Sequence, residues 1–170
     1  MTEEYAANKQ YVLQRTDDAA QAAAIAAETI LEIYTKFYPQ GAVDFFLNLH
    51  SEDSIRRTMD KEEIYILTAD DEAVATGTVR GNEICRLFVL PRCQGQGYGT
   101  MLMDALESRV FEQHESVCVD ASLPAQGMYM NRGYKIRSYE KMELDNGDFL
   151  CFHFMEKARK TLWKYVRING

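Results

Sequence analysis

The residues whose types and spacing could do chemistry lie in one stretch, Leu87 to Thr100, LFVLPRCQGQGYGT. Leu87, Phe88, Val89 and Leu90 read as an apolar strand that Pro91 stops, and Gly95, Gly97 and Gly99 then follow at alternate positions. In MLMDALESRVFEQH and the tyrosine before it, Tyr98, Met101, Leu102, Ala105, Leu106 and Val110 recur at helical spacing against Asp104, Glu107, Ser108 and Glu112. The unit is strand, glycine loop, amphipathic helix. Such a loop points unpaired backbone N–H groups and the positive end of the helix dipole at one spot, which suits a phosphate.

Several phosphate loops share this outline. A P-loop, GxxxxGK[ST], requires a lysine and a hydroxyl that the chain does not place there. A dinucleotide fingerprint would use Gly95, Gly97 and a glycine at position 100, where Thr100 stands; Asp120 does end the next strand, as that fingerprint asks. Yet a dinucleotide fold normally opens with its fingerprint, and here about ninety residues precede it. A tight turn without ligand is the remaining alternative, at an entropic cost that three glycines make hard to justify.

The elements that must position this loop follow from periodicity. Tyr11 to Arg15 reads as a strand, and Asp17 or Asp18 caps an alanine-rich helix, AAQAAAIAAETILEIYTKFY, which Pro39 and Gly41 end. A second helical region runs through VDFFLNLH and restarts at Ser51. EIYILTAD and AVATGTVRG form a hairpin joined at Asp70 and Asp71, and Gly81 and Asn82 turn into EICRLFVL. Beyond the long helix, VCVDA is an interior strand and PAQGMYMNRGY a short helix stopped by Gly133. KIRSYEKMEL and FLCFHFMEK face each other across Asn146-Gly147. The fold class is α/β around a mixed, mostly antiparallel sheet of about seven strands with about four helices, and only the strands flanking the long helix need a parallel crossover.

At this point two motifs carry a resemblance. Gln94-Gly95-Gln96-Gly97-Tyr98-Gly99 is similar to the Q/R-x-x-G-x-G/A signature of the GNAT superfamily of N-acetyltransferases, and it follows an L-x-V-x-P strand at Leu87 to Pro91. Ala125 to Tyr134, AQGMYMNRGY, resembles the second superfamily segment, A-x-x-[FY]-Y-x-x-x-G-[FY]. The resemblance extends from Tyr11 to Lys157. It implies one N-acetyltransferase domain over residues 1–157, leaving 158–170 as a basic tail or closing helix.

The resemblance further implies that acetyl-CoA lies in a cleft between the two parallel central strands. Backbone groups of Phe88, Val89 and Leu90 would pair with the pantetheine arm, and the pyrophosphate would rest on the N–H groups of Gln94, Gly95, Gln96, Gly97, Tyr98, Gly99 and Thr100. Ser122 and Gln126 would line the other wall; Ser122 stands where many members have Asn. Tyr129 holds the position from which the family commonly protonates the departing thiolate, and a phenol with a pKa near 10 stays protonated at neutral pH. Glu83 is the carboxylate expected to deprotonate the amine, with Asp120 second. Strict alternation would set Glu83, Cys85, Leu87 and Val89 on one face and Ile84, Arg86 and Phe88 on the other. The acceptor is expected near Phe37, Tyr38, Pro39, Gly41, Val43, Phe45 and Phe46, with Tyr139, Phe152 and His153 opposite. No metal is called for.

Composition sets outer limits. At 170 residues, 46% hydrophobic and 26% charged, the chain suits one ordinary globular domain. The net charge of -7 argues against nucleic acid; it is uneven, since Lys157, Arg159, Lys160, Lys164 and Arg167 face only Glu156 in residues 155–170. The acidic, polar start MTEEYAANKQ and the lack of a membrane-length apolar run lead to the expectation of a cytoplasmic protein. Cys85, Cys93, Cys118 and Cys151 have no CxxC or metal spacing and read as reduced thiols, with Cys93 the one open to solvent. A homodimer through the last hairpin or the tail around Trp163 is one further expectation. Beside the acetyltransferase, a non-catalytic acyl-CoA-binding module and an NAD(P)-binding protein remain as alternatives.

Overall fold

A computed structural model describes residues 10–160. Seven strands and five α-helices alternate as β1 (Tyr11–Thr16), α1 (Ala19–Ile33), α2 (Gln40–Leu49), α3 (Glu52–Thr58), β2 (Glu63–Ala69), β3 (Glu72–Arg80), β4 (Glu83–Val89), α4 (Tyr98–Phe111), β5 (Ser116–Ser122), α5 (Gln126–Asn131), β6 (Lys135–Glu143) and β7 (Phe149–Ala158). The strands form one sheet in the order β1-β2-β3-β4-β5-β7-β6. Every pairing is antiparallel except β4 with β5. None of the described helices is long and apolar enough to cross a membrane.

Local chemistry accounts for most boundaries. Asp18 accepts the Gln21 N–H at 2.9 Å and starts α1. Asp70 and Asp71 both take left-handed φ (49° and 66°), the geometry of the tight turn whose twist matches an antiparallel hairpin. Gly147 (φ 83°) does the same between β6 and β7. The second helical region is two helices, because Ser51 turns extended and its Oγ accepts the Ser54 N–H at 3.3 Å.

Two boundaries differ from the sequence reading. The alanine-rich helix ends at Ile33 in a 3-10 turn, Tyr34–Lys36, and Gly41 lies inside the first turn of α2. The reason is tertiary. Asp148, from the β6–β7 turn, accepts the Gly41 N–H at 2.8 Å, and a Cβ on Gly41 would stand 2.2 Å from Asn146.

Residues facing each other across an antiparallel pair project to the same side of the sheet. Phe88 faces Thr76, and its ring meets Tyr34 and His50 on the side of α1 and α2. A Cβ on the next residue, Gly77, would meet Leu106 and Leu102 of α4 on the other side. The core is thus two apolar layers, one under each set of helices, built on side chains such as Ile30, Ile55, Ile66, Leu102 and Leu106.

Candidate active site

The site begins with a missing set of hydrogen bonds. β4 and β5 pair only at Glu83 opposite Cys118, where the Cys118 N–H donates to Asn82 O at 2.9 Å. Beyond that point the two strands separate toward their C-terminal ends, and the sheet opens into a cleft.

A bulge in β4 shapes that opening. Thr78 faces Cys85 while Thr76 faces Phe88, so one extra residue is inserted, and Arg86 takes φ 50°. This overturns strict alternation: Cys85 shares a face with Phe88, while Ile84 and Val89, opposite Val79 and Ala75, share the other. An ion-pair network holds the bulge. Glu62, its side chain wholly buried, accepts from Arg86 Nη1 at 2.5 Å, Arg80 Nη1 at 3.4 Å and Thr58 Oγ1 at 2.9 Å. Leaving either charge unpaired there would be costly.

On one side of the cleft lies a cavity of about 540 Å³. Of the expected cofactor residues, Phe88, Val89, Gln94, Gly95, Gly97, Gly99, Thr100 and Ser122 line it; Leu90, Gln96, Tyr98 and Gln126 do not. Leu90 is buried and gives its N–H to Val74 O at 2.9 Å, so that group is spent on β3. Tyr98 is buried edge-on to Tyr11. Gln96 Nε2 donates to Arg92 O, and the Gln126 side chain turns along its own helix toward Met130. The Val89 carbonyl accepts from Thr29 Oγ1 (3.2 Å) and Gln94 Nε2 (3.0 Å).

The loop fits a phosphate. Gly95 (φ 75°) and Gly97 (φ 90°, capping α4) are left-handed, and a Cβ on either would point into open space. Glycine at these positions therefore relieves backbone strain and leaves the amides uncovered, and packing does not explain it. Cys93, expected at the surface, is buried, because the 3-10 turn Pro91–Cys93 folds it back into the cavity wall.

A second cavity of about 170 Å³ shares Tyr34, Leu87, Phe88, Ser122 and Ala125 with the first, and it brings together Tyr129, Glu83 and Asp120. Tyr129 is buried against the edge of Tyr134 (5.3 Å), and burial pushes its phenol pKa above the ordinary 10. Glu83 Oε2 accepts both Arg80 Nη2 (2.6 Å) and Nε (3.1 Å). Asp120, exposed at the mouth, has its carboxyl pKa raised by partial burial and by the charge of Glu83. Burial likewise lifts the Cys85 thiol to about 12 and the Cys118 thiol to about 11, so neither is a ready nucleophile.

Three features lay beyond the sequence reading. Tyr34 and Tyr38, at the end of α1, tie the helical layer to the far wall: Tyr34 OH donates to Ser122 Oγ (3.0 Å), and Tyr38 OH donates to Cys151 O (3.0 Å) while accepting the Leu123 N–H (2.8 Å). Glu107, buried in α4, accepts from Arg132 (3.1 Å) and Lys157 (2.6 Å), which sets the end of α5, and with it Tyr129, against α4 and β7. His50 stacks parallel to Phe46 at 6.2 Å, meets Phe88 edge-on at 5.0 Å, and lines the second cavity. Polar residues at helical spacing carried no sign of these long-range partners.

Of the residues expected around the acceptor, Phe46 lines this cavity, Val43 is core, and Phe37 is exposed. Gly41 and Phe45 line a separate cavity against the β6–β7 turn. His153 packs on Tyr139 at 5.2 Å. Among the described residues no group of His, Cys, Asp or Glu is placed to hold a metal ion.

Comparison with known proteins agrees with this geometry. The family model described as Acetyltransferase (GNAT) domain matches residues 33–158. A GCN5-related N-acetyltransferase from Rhodopseudomonas palustris is 25% identical, with a TM-score of 0.79 over 87% of this chain and 95% of that one. The PaiA N-acetyltransferase from Thermoplasma acidophilum, solved in complex with coenzyme A, is 16% identical, with a TM-score of 0.68 over 88% of this chain and 99% of that one. An N-acetyltransferase from Staphylococcus aureus Mu50 is 15% identical, with a TM-score of 0.65 over 88% and 97%. No curated protein matches. Because the family match spans well over half of its length, the chain belongs to the GNAT acetyltransferases, enzymes that transfer an acyl group.

Proposed function

We propose that this enzyme transfers the acetyl group of acetyl-CoA directly to a primary amine. The observation that carries the reading is the junction of the two cavities at the parting of β4 and β5, with the glycine loop on one side and Tyr129 with two carboxylates on the other. The coenzyme A bound to the Thermoplasma relative supports the same donor.

When bound, acetyl-CoA would supply a thioester carbonyl for the amine nitrogen to attack. The amides of the glycine loop and the start of α4 hold the pyrophosphate, and Val89 offers its backbone to the pantetheine once Gln94 and Thr29 give way. Asp120 takes the proton that the amine loses. Glu83, the first carboxylate chosen from sequence, is already committed, because its Oε2 accepts both Nε and Nη2 of Arg80. Tyr129 gives its proton to the sulfur as the carbon–sulfur bond breaks; its burial keeps that proton in place until then. A cytoplasmic setting is part of this reading, supported by four unpaired cysteines among the described residues.

Thermal melts with acetyl-CoA, CoA, NAD and NADP test the donor, because a ligand that binds only the folded state raises the midpoint. A rise with acetyl-CoA or CoA alone is expected, followed by transfer in an amine panel. A rise only with NAD(P) would return the loop to the dinucleotide alternative. Binding of CoA without transfer to any amine would favour the non-catalytic module.

A further inference from the structure

In the acetyl-transfer reading, a donor held by the larger cavity and an amine held in the smaller one meet where the two cavities join. Tyr34, Leu87, Phe88, Ser122 and Ala125 line both. Three of these side chains are apolar, so among the described residues Tyr34 and Ser122 alone bring polar side chains to both walls.

The pair has a hydrogen to spare. Tyr34 OH donates to Ser122 Oγ at 3.0 Å. Each hydroxyl can donate one hydrogen as well as accept, and the bond between them uses the hydrogen of Tyr34. The Ser122 hydrogen remains, and it meets no acceptor among the described residues. Ser122 is buried without being sealed, since it keeps 8% of its surface open and borders each cavity. A buried donor left unpaired costs free energy, and a molecule that bridges the two cavities can recover it.

The surroundings hold the pair in place. The Tyr34 ring is fixed edge-on against Phe46 at 4.8 Å and lies 5.7 Å from Tyr38. Tyr38 OH accepts the Leu123 N–H at 2.8 Å, which anchors the residue after Ser122. Burial raises the Tyr34 phenol pKa above 10, with the Ser122 bond opposing, so Tyr34 stays a donor at neutral pH. Donation into Ser122 Oγ polarises the Ser122 O–H, an effect that is stronger where water is excluded. The neighbouring backbone has less to give, because the Leu90 N–H is spent on Val74 O.

Resting on that reading, we propose that Ser122, its hydrogen left free by Tyr34, donates to the carbonyl oxygen of the thioester. As the amine nitrogen bonds to the carbonyl carbon, the π pair moves onto that oxygen, and the Ser122 hydrogen bond strengthens with the charge. When the carbon–sulfur bond breaks, the pair returns to re-form the carbonyl. The sulfur leaves with the bonding electrons and takes the proton of Tyr129, while the amine proton goes to Asp120. Ser122 keeps its own proton throughout. It is the catalytic residue of the pair, and Tyr34 is a positioning residue that acts through it.

Calorimetric titration of the wild type compares acetyl-CoA with S-ethyl-CoA, a thioether that lacks the carbonyl oxygen. Acetyl-CoA should bind about fivefold tighter, the weight of one hydrogen bond, and Ser122→Ala should erase the difference while leaving S-ethyl-CoA binding unchanged. In steady-state transfer, Ser122→Ala should lower kcat about 10²-fold at nearly constant KM for acetyl-CoA, the usual weight of one oxyanion donor. Tyr34→Phe should lower kcat about tenfold, and adding it to Ser122→Ala should lower kcat no further; a merely structural brace would give additive losses. Equal binding of the two donors by the wild type, kcat kept in Ser122→Ala, or additive losses in the double variant would each overturn this proposal and leave the acetyl-transfer reading standing. Should Ser122→Ala fail to fold, the wild-type comparison of the two donors decides. If acetyl-CoA neither stabilises the wild type nor is consumed by it, the acetyl-transfer reading falls first and takes this proposal with it.

Discussion

The hydroxyl of Tyr34 donates to Ser122 Oγ at 3.0 Å, joining the end of the first helix to the end of β5 where the two cavities meet. Replacing Tyr34 by Phe removes one buried hydrogen bond and leaves Ser122 without its donor. The expected cost is about 1 kcal/mol, seen as a fall of roughly 2–4 °C in melting midpoint for a chain of this size. An unchanged midpoint would mean that the bond does not brace the cleft.

Tyr129→Phe should lower kcat by about 10²- to 10⁴-fold, the usual weight of a general acid, with little change in KM for acetyl-CoA. Steady-state rates together with a thermal melt in acetyl-CoA separate the two effects. If kcat is kept, Tyr129 is a packing residue against Tyr134.

Gly97→Ala places a Cβ at φ 90° and points it into the open cleft. Two effects follow from one methyl group: backbone strain of about 1 kcal/mol, and a barrier between the loop amides and a phosphate. The stabilisation by acetyl-CoA should shrink far more than the ligand-free midpoint falls. Calorimetric titration with CoA reads the difference directly.

The acid limb of kcat/KM should follow the Asp120 carboxyl, raised above its ordinary 3.8 by partial burial and Glu83, with Arg80 opposing and Glu140 adding to the rise. Activity is lost as pH falls through that raised pKa, since the protonated carboxyl no longer accepts a proton. Glu83→Gln removes the repulsion and should move the limb to lower pH; Asp120→Asn should abolish it.

Stability should also fall with acid because of His50. In the unfolded chain the imidazole protonates near 6.5, while in the folded one it stays neutral down to about 3. Between those values the unfolded state binds the extra proton, so stability is full above about 6.5 and declines as pH drops toward 3, by up to roughly 1.4 kcal/mol per pH unit. Measured as urea midpoints, the difference between wild type and His50→Phe should move steadily in the variant's favour as pH falls through this window, and a difference that stays constant with pH would show that the effect does not belong to His50.

Much of the site was legible along the chain because its chemistry is local. Gly95 and Gly97 declare a loop that only glycine tolerates, and a strand before it with a helix after it can fold in few ways. Asp70-Asp71 and Asn146-Gly147 set their turns from within. The end of α1 was less legible, since Asp148, more than a hundred residues away, decides where Gly41 sits. The faces of β4 were misjudged for a similar reason: the bulge at Arg86 is held by Glu62, and a two-residue alternation holds no trace of it.

By itself, then, the sequence determined the order of strands and helices, the single parallel crossover, the glycine loop and the register of Tyr129 with Gly133 and Tyr134, because each depends on neighbours within a few turns. Only the tertiary structure decided which carboxylate stays unpaired, which face of β4 meets the smaller cavity, and that His50 lines it. Those outcomes rest on ion pairs and aromatic contacts between residues far apart in the chain, such as Arg86 with Glu62 and His50 with Phe88. Their energies exist only once the sheet has closed on its helices and water has left the cavity walls.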